Sequence, residues 1–243
     1  AVMTTRVASA EHVADNVIQL RLVKPEGFTW KTGEFARVGL KIEGDEVFRA
    51  YSIGSAPASE TVDFYIANVT GGILSPKLNQ IKTGDSVLID TEVGGMLLAD
   101  RLEAGGKDLW MFASGTGVSP FLAVLSDESI TSRFERLILV HGVRTWNETG
   151  YVSRLVKRSP KLTVVACVTR EKGAAVNERI PDALADGSLE KLAGITIEKE
   201  HSRVMLCGNP GMVKSVREAM KARGIVSPRG GKPGQLLAEN FWL

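Results

Sequence analysis

Up to about residue 100, the hydrophobic pattern consists of short runs that are separated by turn residues. In these runs, apolar residues alternate with polar ones or follow one another directly; the runs are VIQLRLVKPEG, FARVGLKIEGDE, VFRAYSIGSAP, TVDFYIANVTGG and GDSVLIDTEVGG. Several short strands at such a spacing are typical of a small antiparallel barrel. We therefore expect the first part of the chain to form an antiparallel β-barrel.

From about Asp108 the hydrophobic pattern changes. Apolar strands now alternate with amphipathic stretches of helical length; the strands are DLWMFAS, RLILVHGV, LTVVACVT and SRVMLCG, and the stretches include SPFLAVLSDE and NPGMVKSVREAMKARG. This alternation is typical of a parallel sheet built from βαβ units. The polar segment LLADRLEAGGKD separates the two patterns. We therefore predict two domains, an antiparallel β-barrel over residues 1–101 and an α/β parallel-sheet nucleotide-binding domain over residues 102–243.

Composition narrows the class of protein. With 243 residues and 44% hydrophobic content, the chain can bury a substantial core. No run approaches the roughly 18 consecutive apolar residues of a membrane span, and the segment AVMTTRVASAEHVADN lacks the apolar core of a secretory signal. A net charge of +2 is too small to indicate a nucleic-acid binder.

The cysteines and histidines bear on the compartment and on metals. Only Cys167 and Cys207 occur, each within an apolar segment, which suits reduced thiols better than a disulfide framework. The histidines His12, His141 and His201 are isolated, and no pair of cysteines or histidines has the spacing of a zinc or iron–sulfur site. We therefore expect a cytoplasmic protein without a metal site.

The strand RAYSIGSAP carries a cation, a phenol and a hydroxyl within four residues. Because side chains alternate between the two faces of a strand, Arg49 and Tyr51 should lie on one face, with Ala50 and Ser52 on the other. One face could then offer an anion site beside an aromatic ring. The alternative is an ordinary hairpin, in which Tyr51 belongs to the core and Arg49 is a solvated surface charge.

The segment ASGTGVSPFLAVL follows an apolar strand and opens a helix, with Ser119 as the expected N-cap and Pro120 at the first helical position. Gly115 and Gly117 would let backbone amides approach a pyrophosphate at the positive end of that helix. The third glycine of the dinucleotide fingerprint is missing, and so is the Gly-Lys-Ser/Thr of a P-loop, which disfavours hydrolysis of nucleoside triphosphates. The alternative is a glycine turn that only allows helix and sheet to pack.

Arginines follow the strands of the second half. Arg170 comes just after a strand in VTREKGAAVNERI, Arg179 lies nine residues on, and Arg144 ends the strand RLILVHGVR. In nicotinamide-binding folds an acidic residue suits a ribose 2′-hydroxyl, whereas the guanidinium fork suits a 2′-phosphate. This region therefore favours NADP over NAD. The alternative is that these arginines form surface ion pairs with Glu171 and Glu178.

Cys207 lies at the end of the strand in MLCGNPGM, which we take as the last strand of the sheet. Ligands of open α/β folds bind at the carboxyl edge of the sheet, so a polarizable thiol there could border a nicotinamide ring without reacting. The alternative is a small core residue.

These elements stand in one order along the chain: R-A-Y-S in a barrel strand, S-G-T-G-V-S-P at a strand-to-helix turn, the downstream arginines, and C-G-N-P before a final helix. In this combination the chain resembles the ferredoxin–NADP reductase family, and in particular its bacterial flavodoxin/ferredoxin reductases. The resemblance covers nearly the whole chain, and the aromatic ending ENFWL is also similar to the bacterial branch.

The resemblance implies that the first domain binds FAD. Arg49 would neutralise the pyrophosphate, Tyr51 would stack on the isoalloxazine, and Ser52 would hydrogen bond near flavin N5. Such a set suits one ligand, since a flat apolar ring favours an aromatic partner and a diphosphate favours a guanidinium. The other flavin-binding positions of the family match Ala50, Tyr65, Ile66 and Ala67, and, in GGILSPKL, Ile73, Leu74 and Ser75.

By the same resemblance the second domain binds NADP. Thr116 would touch both nucleotides, and Cys207 would lie beside the nicotinamide. The remaining positions that match nucleotide-binding residues are Gly115, Gly117, Arg144, Arg170, Arg179, Asn209 and Pro210. One departure is Ser114, which stands where relatives often have threonine.

The end of the chain also matches family positions. Phe241 would cover the face of the flavin ring that nicotinamide must reach, and Trp242 would lie near the adenine. Glu239 resembles a carboxylate that helps to relay protons in some branches. The resemblance thus implies Ser52, Cys207 and Glu239 as catalytic residues.

The activity that the resemblance implies is hydride transfer between NADPH and FAD, followed by single-electron transfer between FAD and a ferredoxin or flavodoxin. An acidic carrier of this kind would meet a basic rim around the flavin edge, and relatives are commonly monomers. Three alternatives stay open: an NADH-dependent oxygenase or cytochrome reductase component, a flavin-binding electron-transfer subunit without pyridine nucleotide turnover, and a module without flavin. The arginines in TREKGAAVNER argue against NADH.

Overall fold

The computed structural model describes residues 1–240 of the chain. Within them, a six-stranded sheet is followed by a five-stranded sheet. All strand pairs of the first sheet are antiparallel, and all those of the second are parallel. The predicted fold class, an antiparallel barrel followed by an α/β domain, is confirmed. The predicted aromatic residues Phe241 and Trp242 lie outside the described residues.

The barrel is built from the first sheet. Its strands are β1 (Val2–Ala14), β2 (Val17–Val23), β3 (Phe35–Ile42), β4 (Asp45–Ser52), β5 (Thr61–Ala67) and β6 (Ser86–Gly94), in the order β4-β3-β6-β1-β2-β5. Gly54, just past β4, donates its backbone N–H to the carbonyl of Asp63 in β5 at 2.8 Å. This bond brings the two edge strands together. Val62, Phe64 and Ile66 are among the residues fully buried in the barrel core.

Strand β1 lacks the hydrophobic pattern of its neighbours. Of its residues only Thr5, Val7 and Ala14 are buried, which is too few to mark a strand in the sequence. Backbone pairing with both β2 and β6 holds it in place. Its extended conformation therefore follows from its partners and not from its own side chains.

The second sheet forms the α/β domain. Its strands are β7 (Asp108–Ser114), β8 (Arg136–Val143), β9 (Leu162–Val168), β10 (Ser202–Gly208) and β11 (Leu236–Asn240), in the order β11-β10-β7-β8-β9. Every residue of β10, and all of β7 except Ser114, is buried. Strands covered on both faces need apolar residues at successive positions, which explains the continuous apolar runs in the sequence.

Helices cover both faces of the parallel sheet. They are α2 (Ser119–Leu125), α3 (Glu128–Thr131), α4 (Gly150–Leu155), α5 (Ile180–Ala185), α6 (Ser188–Ala193) and α7 (Pro210–Lys221); α1 (Ser75–Leu78) belongs to the barrel. Phe121 of α2 and Tyr151 of α4 pack in the core cluster on one face. Leu184 of α5, Leu189 of α6 and Val216 of α7 pack in the cluster on the other.

Strand β11 corrects the interpretation of β10 as the last strand. It pairs in parallel with β10, from Val204 opposite Leu236 to Gly208 opposite Asn240. The segment QLLAEN is too short to mark a strand by its pattern, and it forms one because the open edge of β10 is available to pair. This register places Glu239 opposite Cys207.

The two sheets pack against each other along one face. Tyr65 of β5 stacks on Tyr151 of α4, with ring centroids 5.8 Å apart and planes inclined by 14°. The buried guanidinium of Arg203 donates to the carbonyls of Glu103 and Ala104 at 2.7 and 3.0 Å, so it fixes the segment between the sheets. These contacts give the two domains a defined junction.

The helices of the described part are short, and the longest, α7, has 12 residues. None of the helices in residues 1–240 is long and apolar enough to cross a membrane. The same part of the chain contains no group of three or more His, Cys, Asp or Glu side chains that could hold a metal ion.

Candidate active site

Two cavities of similar size contain most of the predicted site residues. We call the first, of about 480 Å³, the junction cavity; it is lined by Phe35, Arg49, Ala50, Tyr51, Ser52, Ala67, Val69, Gly72, Ile73, Leu74, Ser75, Glu239 and Asn240. We call the second, of about 520 Å³, the edge cavity; it is lined by Ser114, Gly115, Thr116, Gly142, Val143, Arg144, Glu148, Cys167, Thr169, Arg170, Arg179, Ile180, Pro181, Asn209 and Met212. The first lies where barrel strands meet β11, and the second lies at the carboxyl edge of the parallel sheet.

The end of β4 forms one wall of the junction cavity, through Arg49, Ala50, Tyr51 and Ser52. The Arg49 guanidinium is exposed and donates to the carbonyl of Phe48 at 2.7 Å, and it forms no ion pair with any described residue. Tyr51 packs against the barrel core and also lines the cavity, so both interpretations of its side chain apply. Burial raises the pKa of Tyr51 to about 12, against the smaller opposing effect of Arg49, so the phenol keeps its proton.

The turn after β5 forms the opposite wall. Ile73 is 58% exposed at the cavity, whereas its neighbour Leu74 is only 2% exposed and packs in the barrel core. The hydroxyl of Ser75 accepts the backbone N–H of Val69 at 3.0 Å, which closes the turn. A cation, an aromatic ring and a closed backbone turn therefore face one space, as expected for a ligand with a flat ring and a phosphate.

Tyr65 and Ile66 need a correction as flavin-lining residues. The ring of Tyr65 packs at the domain junction against Tyr151, and Ile66 is fully buried in the barrel core, so neither side chain lines the junction cavity. Their neighbour Ala67 does line it. The sequence alternates strictly along β5, but strand closure turns the Tyr65 face towards the second domain, an effect that only the tertiary packing reveals.

Glu239 brings a carboxylate from the second domain into the junction cavity. Its Oε1 accepts the backbone N–H of Met96 at 3.3 Å, and its Oε2 is buried without a hydrogen-bond partner among residues 1–240. Burial raises the pKa of Glu239 to about 7, and the hydrogen bond from Met96 opposes this only in part. A buried oxygen without a partner beside a cavity is a position that a ligand donor can satisfy.

Cys207 is wholly buried and lines neither cavity. Burial raises the pKa of its thiol far above the ordinary value, so the group stays protonated. Its side chain thus fits the alternative interpretation of a core cysteine, and the expected exposure at the sheet edge is wrong. The reason is β11, which covers the side of β10 that the sequence interpretation left open.

The two glycines of the strand-to-helix turn have different reasons to be glycine. Gly115 has a φ of +54°, and a Cβ atom on it would meet no atom within 4 Å. A Cβ atom on Gly117 would lie 2.5 Å from the carbonyl oxygen of Cys207. The first glycine therefore serves the backbone conformation of the turn at the cavity, and the second serves close packing on β10.

The prediction of Ser119 as an N-cap is wrong. Residues Gly115–Val118 form a 3₁₀ turn that runs directly into α2, so Ser119 is already the first helical residue and its hydroxyl donates to the carbonyl of Thr116 at 2.7 Å. The side-chain hydroxyl of Thr116 is buried at the edge cavity and has no hydrogen-bond partner among the described residues. It is a second orphaned polar atom that a ligand would satisfy.

The neighbouring strand end is built from Ser114 and Asn209. The Ser114 hydroxyl accepts the backbone N–H of Asn209 at 2.8 Å, and the Asn209 side chain caps α7 by accepting the N–H of Met212 at 2.8 Å. Pro210 is the first residue of α7 and does not line the edge cavity. Asn209 is thereby fixed at the wall of that cavity.

Three arginines surround the edge cavity in different states. Arg144 forms a bidentate pair with Glu148, at 2.8 and 3.1 Å. Burial raises the pKa of Glu148, but the hydrogen bonds, chiefly from Arg144, outweigh this and lower it. Arg170 and Arg179 are exposed, and their guanidinium groups form no hydrogen bond or ion pair with any of residues 1–240. The alternative of surface pairs with the adjacent glutamates is therefore not observed.

The sequence interpretation missed several residues of the site. Glu148 and Asn240 line the cavities, and the buried His141 bonds to the carbonyl of Gly115 at 2.7 Å and to the hydroxyl of Thr149 at 2.8 Å. An isolated histidine in an apolar strand carries no local signal of such a role. Only the pairing of β7 with β8 brings it to the turn.

The chain matches two family models. The model described as oxidoreductase FAD-binding domain matches residues 4–96, and the model described as oxidoreductase NAD-binding domain matches residues 111–218. The first range contains the barrel wall of the junction cavity, and the second contains the strands and arginines of the edge cavity. The assignment of one ligand class to each cavity therefore has independent support.

Curated relatives and a solved structure extend the similarity over the whole chain. The chain is 33% identical to the ferredoxin–NADP reductase of Pseudomonas aeruginosa, with 99% of this chain and 97% of that protein covered. It is 34% identical to the flavodoxin/ferredoxin–NADP reductase of Escherichia coli, with 99% and 98% covered. A crystal structure of a ferredoxin NADP⁺ reductase from Neisseria gonorrhoeae with bound FAD and NADP superposes with a TM-score of 0.92 at 30% identity, covering 98% of each chain.

Proposed function

The chain belongs to the ferredoxin–NADP reductase family, and we propose that it is a flavoenzyme that transfers hydride between NADPH and FAD and single electrons between FAD and a ferredoxin or flavodoxin. The observation that carries this proposal is the edge cavity, where two unpaired guanidinium groups and an orphaned threonine hydroxyl face one space. Such a set suits a nucleotide with a 2′-phosphate.

The junction cavity is proposed as the FAD site. Arg49 would hold the pyrophosphate, the ring of Tyr51 would stack on the flavin, and Ile73 would cover part of it. The bound flavin supplies the redox chemistry, while the protein supplies binding and orientation. We place the FAD-binding domain at residues 1–101 and the NADP-binding domain at 102–243, with Glu239 contributed to the flavin cavity by the second domain.

The edge cavity is proposed as the NADPH site. Arg170 and Arg179 would bind the 2′-phosphate, with Arg144 held ready by Glu148. The turn that begins at Gly115 would face the pyrophosphate, and Thr116 would hydrogen bond to the nucleotide. Because an acidic residue is the usual partner of a ribose 2′-hydroxyl, the free arginines favour NADPH over NADH.

Two polar side chains of the junction cavity are proposed to act on protons. Ser52 is buried at the cavity wall and can donate or accept a hydrogen bond there. Glu239, with a pKa near 7, can hold a proton on its free Oε2 or release it close to neutral pH. Cys207 supports the site from behind, because its carbonyl packs against Gly117.

The electron carrier is proposed to be acidic. The chain has a net charge of +2, and Arg49 lies exposed at the mouth of the junction cavity. Charge complementarity of this kind mainly accelerates encounter and weakens as salt screens it. We propose a cytoplasmic monomer, in line with its small size and with the reduced state of its two cysteines.

The test is carrier reduction by the purified protein. Reduction of a ferredoxin or flavodoxin should proceed with NADPH and run about a hundredfold slower with NADH at equal concentration, since two charge-assisted contacts are lost. Raising the salt from about 0.05 to 0.5 M should slow carrier reduction several-fold, because the Debye length shortens well below 10 Å. Equal rates with the two nucleotides would overturn the NADPH assignment, and a salt-independent rate would overturn the acidic carrier.

A further inference from the structure

His141 is a buried residue with a hydrogen bond at each ring nitrogen. It lies in β8, wholly inaccessible to solvent. Its Nε2 lies 2.7 Å from the carbonyl oxygen of Gly115, and its Nδ1 lies 2.8 Å from the hydroxyl oxygen of Thr149. Neither cavity is lined by the imidazole itself. Any effect on ligands must therefore act through the groups to which it bonds.

The two partners determine the tautomer of the ring. A carbonyl oxygen only accepts, so the Nε2 atom must carry the hydrogen that is donated to Gly115. Burial lowers the pKa of His141 to about 4, and the bond to Gly115 opposes this only in part, so the ring is neutral near pH 7. The Nδ1 atom then has a lone pair and accepts the hydroxyl hydrogen of Thr149.

The bond to Gly115 falls on the part of the turn that packing does not hold. A Cβ atom at Gly115 would meet no atom within 4 Å, whereas at Gly117 the backbone of β10 is in close contact. The end of the turn is thus fixed by contact with Cys207, and its beginning is fixed by His141. Thr116, whose hydroxyl faces the edge cavity without a partner, lies between these two points.

The bond to Thr149 connects the same ring to the domain junction. Thr149 directly precedes α4, and Tyr151 of that helix stacks on Tyr65 of the barrel. The imidazole is therefore held from a rigid part of the fold and cannot turn without losing a buried bond. A side chain fixed in this way can hold a backbone carbonyl in one orientation.

We propose that His141 is a positioning residue for the nicotinamide nucleotide: its Nε2–H fixes the carbonyl of Gly115 and thereby aims the backbone N–H groups of the turn and the Thr116 hydroxyl into the edge cavity. This inference rests on the proposed function of that cavity. It concerns the part of the nucleotide near the turn and not the 2′-phosphate, which Arg170 and Arg179 would hold.

Two amide variants separate the two hydrogen bonds of the ring. The amide nitrogen of His141→Gln can reach the position of Nε2 and donate to Gly115, whereas the shorter His141→Asn can only replace Nδ1. Both variants remove the ring and disturb its packing to a similar extent. Binding of NADP⁺ and of 2′-AMP, which carries only the adenosine 2′-phosphate, is measured by calorimetry on the purified flavoprotein, beside the KM and kcat for NADPH.

The expected result is that His141→Asn weakens NADP⁺ binding about tenfold, the size of one lost buried hydrogen bond, and raises the KM for NADPH in parallel. His141→Gln should stay within about threefold of the unaltered protein, and both variants should bind 2′-AMP as the unaltered protein does. Equal NADP⁺ affinity of the two variants, or a parallel loss of 2′-AMP binding, would overturn the positioning role.

A measurement on the unaltered protein does not depend on whether the variants fold. Nitrogen NMR of the His141 ring distinguishes the tautomers, and it should show a protonated Nε2 and an unprotonated Nδ1 at pH 7. A protonated Nδ1 would leave no donor for Gly115 and would overturn the inference. If the unaltered protein binds 2′-AMP and NADP⁺ not at all, the proposed function of the edge cavity is wrong, which is a different failure.

Discussion

The junction cavity and the edge cavity are almost equal in volume, at about 480 and 520 Å³, but they are built in opposite ways. The first lies between strands of the barrel and β11, and its polar side chains Ser52, Ser75 and Glu239 are largely buried. The second lies at the ends of parallel strands, where Arg170 and Arg179 are exposed.

This contrast suits two different kinds of ligand. Buried polar atoms without partners, such as the Oε2 of Glu239, carry an energetic cost whenever the ligand is absent, so the junction cavity favours a cofactor that stays bound. Exposed guanidinium groups remain hydrated and lose little when the ligand leaves, so the edge cavity favours a substrate that exchanges. The comparison predicts that changes in one cavity leave the other ligand unaffected.

The largest effect should come from removing the free cations of the edge cavity. In the double variant Arg170→Ala and Arg179→Ala, kcat/KM for NADPH should fall at least about a hundredfold, because two charge-assisted contacts to the 2′-phosphate are lost. The rate with NADH and the FAD content should not change. Arg217→Ala, an exposed arginine on α7, is the matched control. An equal loss with NADH would show that the arginines act on the fold and not on the phosphate.

The next effect concerns the buried carboxylate of the junction cavity. Because the pKa of Glu239 is raised from 4.5 to about 7 in the folded protein, the native state keeps a proton that the unfolded state releases. Glu239 therefore lowers the free energy of unfolding progressively as the pH rises from about 4.5 to 7, by up to about 3 kcal/mol.

Glu239→Gln should remove this loss. Its stability relative to the unaltered protein should be unchanged near pH 4 and higher near pH 8, as measured by urea unfolding at several pH values. Glu46→Gln, at an exposed glutamate on β4, is the control. A gain for Glu239→Gln that is as large at pH 4 as at pH 8 would contradict the assignment of a raised pKa.

The smallest of the three effects should come from the aromatic wall. Tyr51→Ala removes a stacking ring, so the affinity for FAD should fall by about 2 kcal/mol, or roughly thirtyfold in Kd. Tyr51→Phe keeps the ring and should retain FAD. The flavin-to-protein ratio after dialysis measures both. Binding of 2′-AMP should be the same in all three proteins, and a loss of it in Tyr51→Ala would mean that the two cavities are not independent.

The residues that the sequence predicted best are those whose chemistry is local. Arg49 and Tyr51 lie two positions apart on one strand, so alternation alone brings them to one cavity. Arg170 and Arg179 follow β9, and the carboxyl edge of a parallel sheet gathers such residues without further information.

The residues that the sequence could not place depend on contacts between distant segments. The burial of Cys207 and the raised pKa of Glu239 both follow from β11, whose short pattern gives no signal. Nothing in the sequence tells which of the two turn glycines packs against β10, because the decisive atom is the carbonyl of Cys207. The orientation of Tyr65 likewise depends on Tyr151, 86 positions later in the chain.

The central claim is that one cavity retains flavin while the other admits NADPH and its hydride reaches the flavin. Anaerobic titration of the purified protein with NADPH and, in parallel, with NADH tests this claim directly through the visible absorption of the flavin. The account predicts bleaching by NADPH at a concentration about a hundredfold lower than with NADH, the ratio expected from two charge-assisted contacts. Flavin that is bound but bleached by neither nucleotide, or by both at the same concentration, would contradict it.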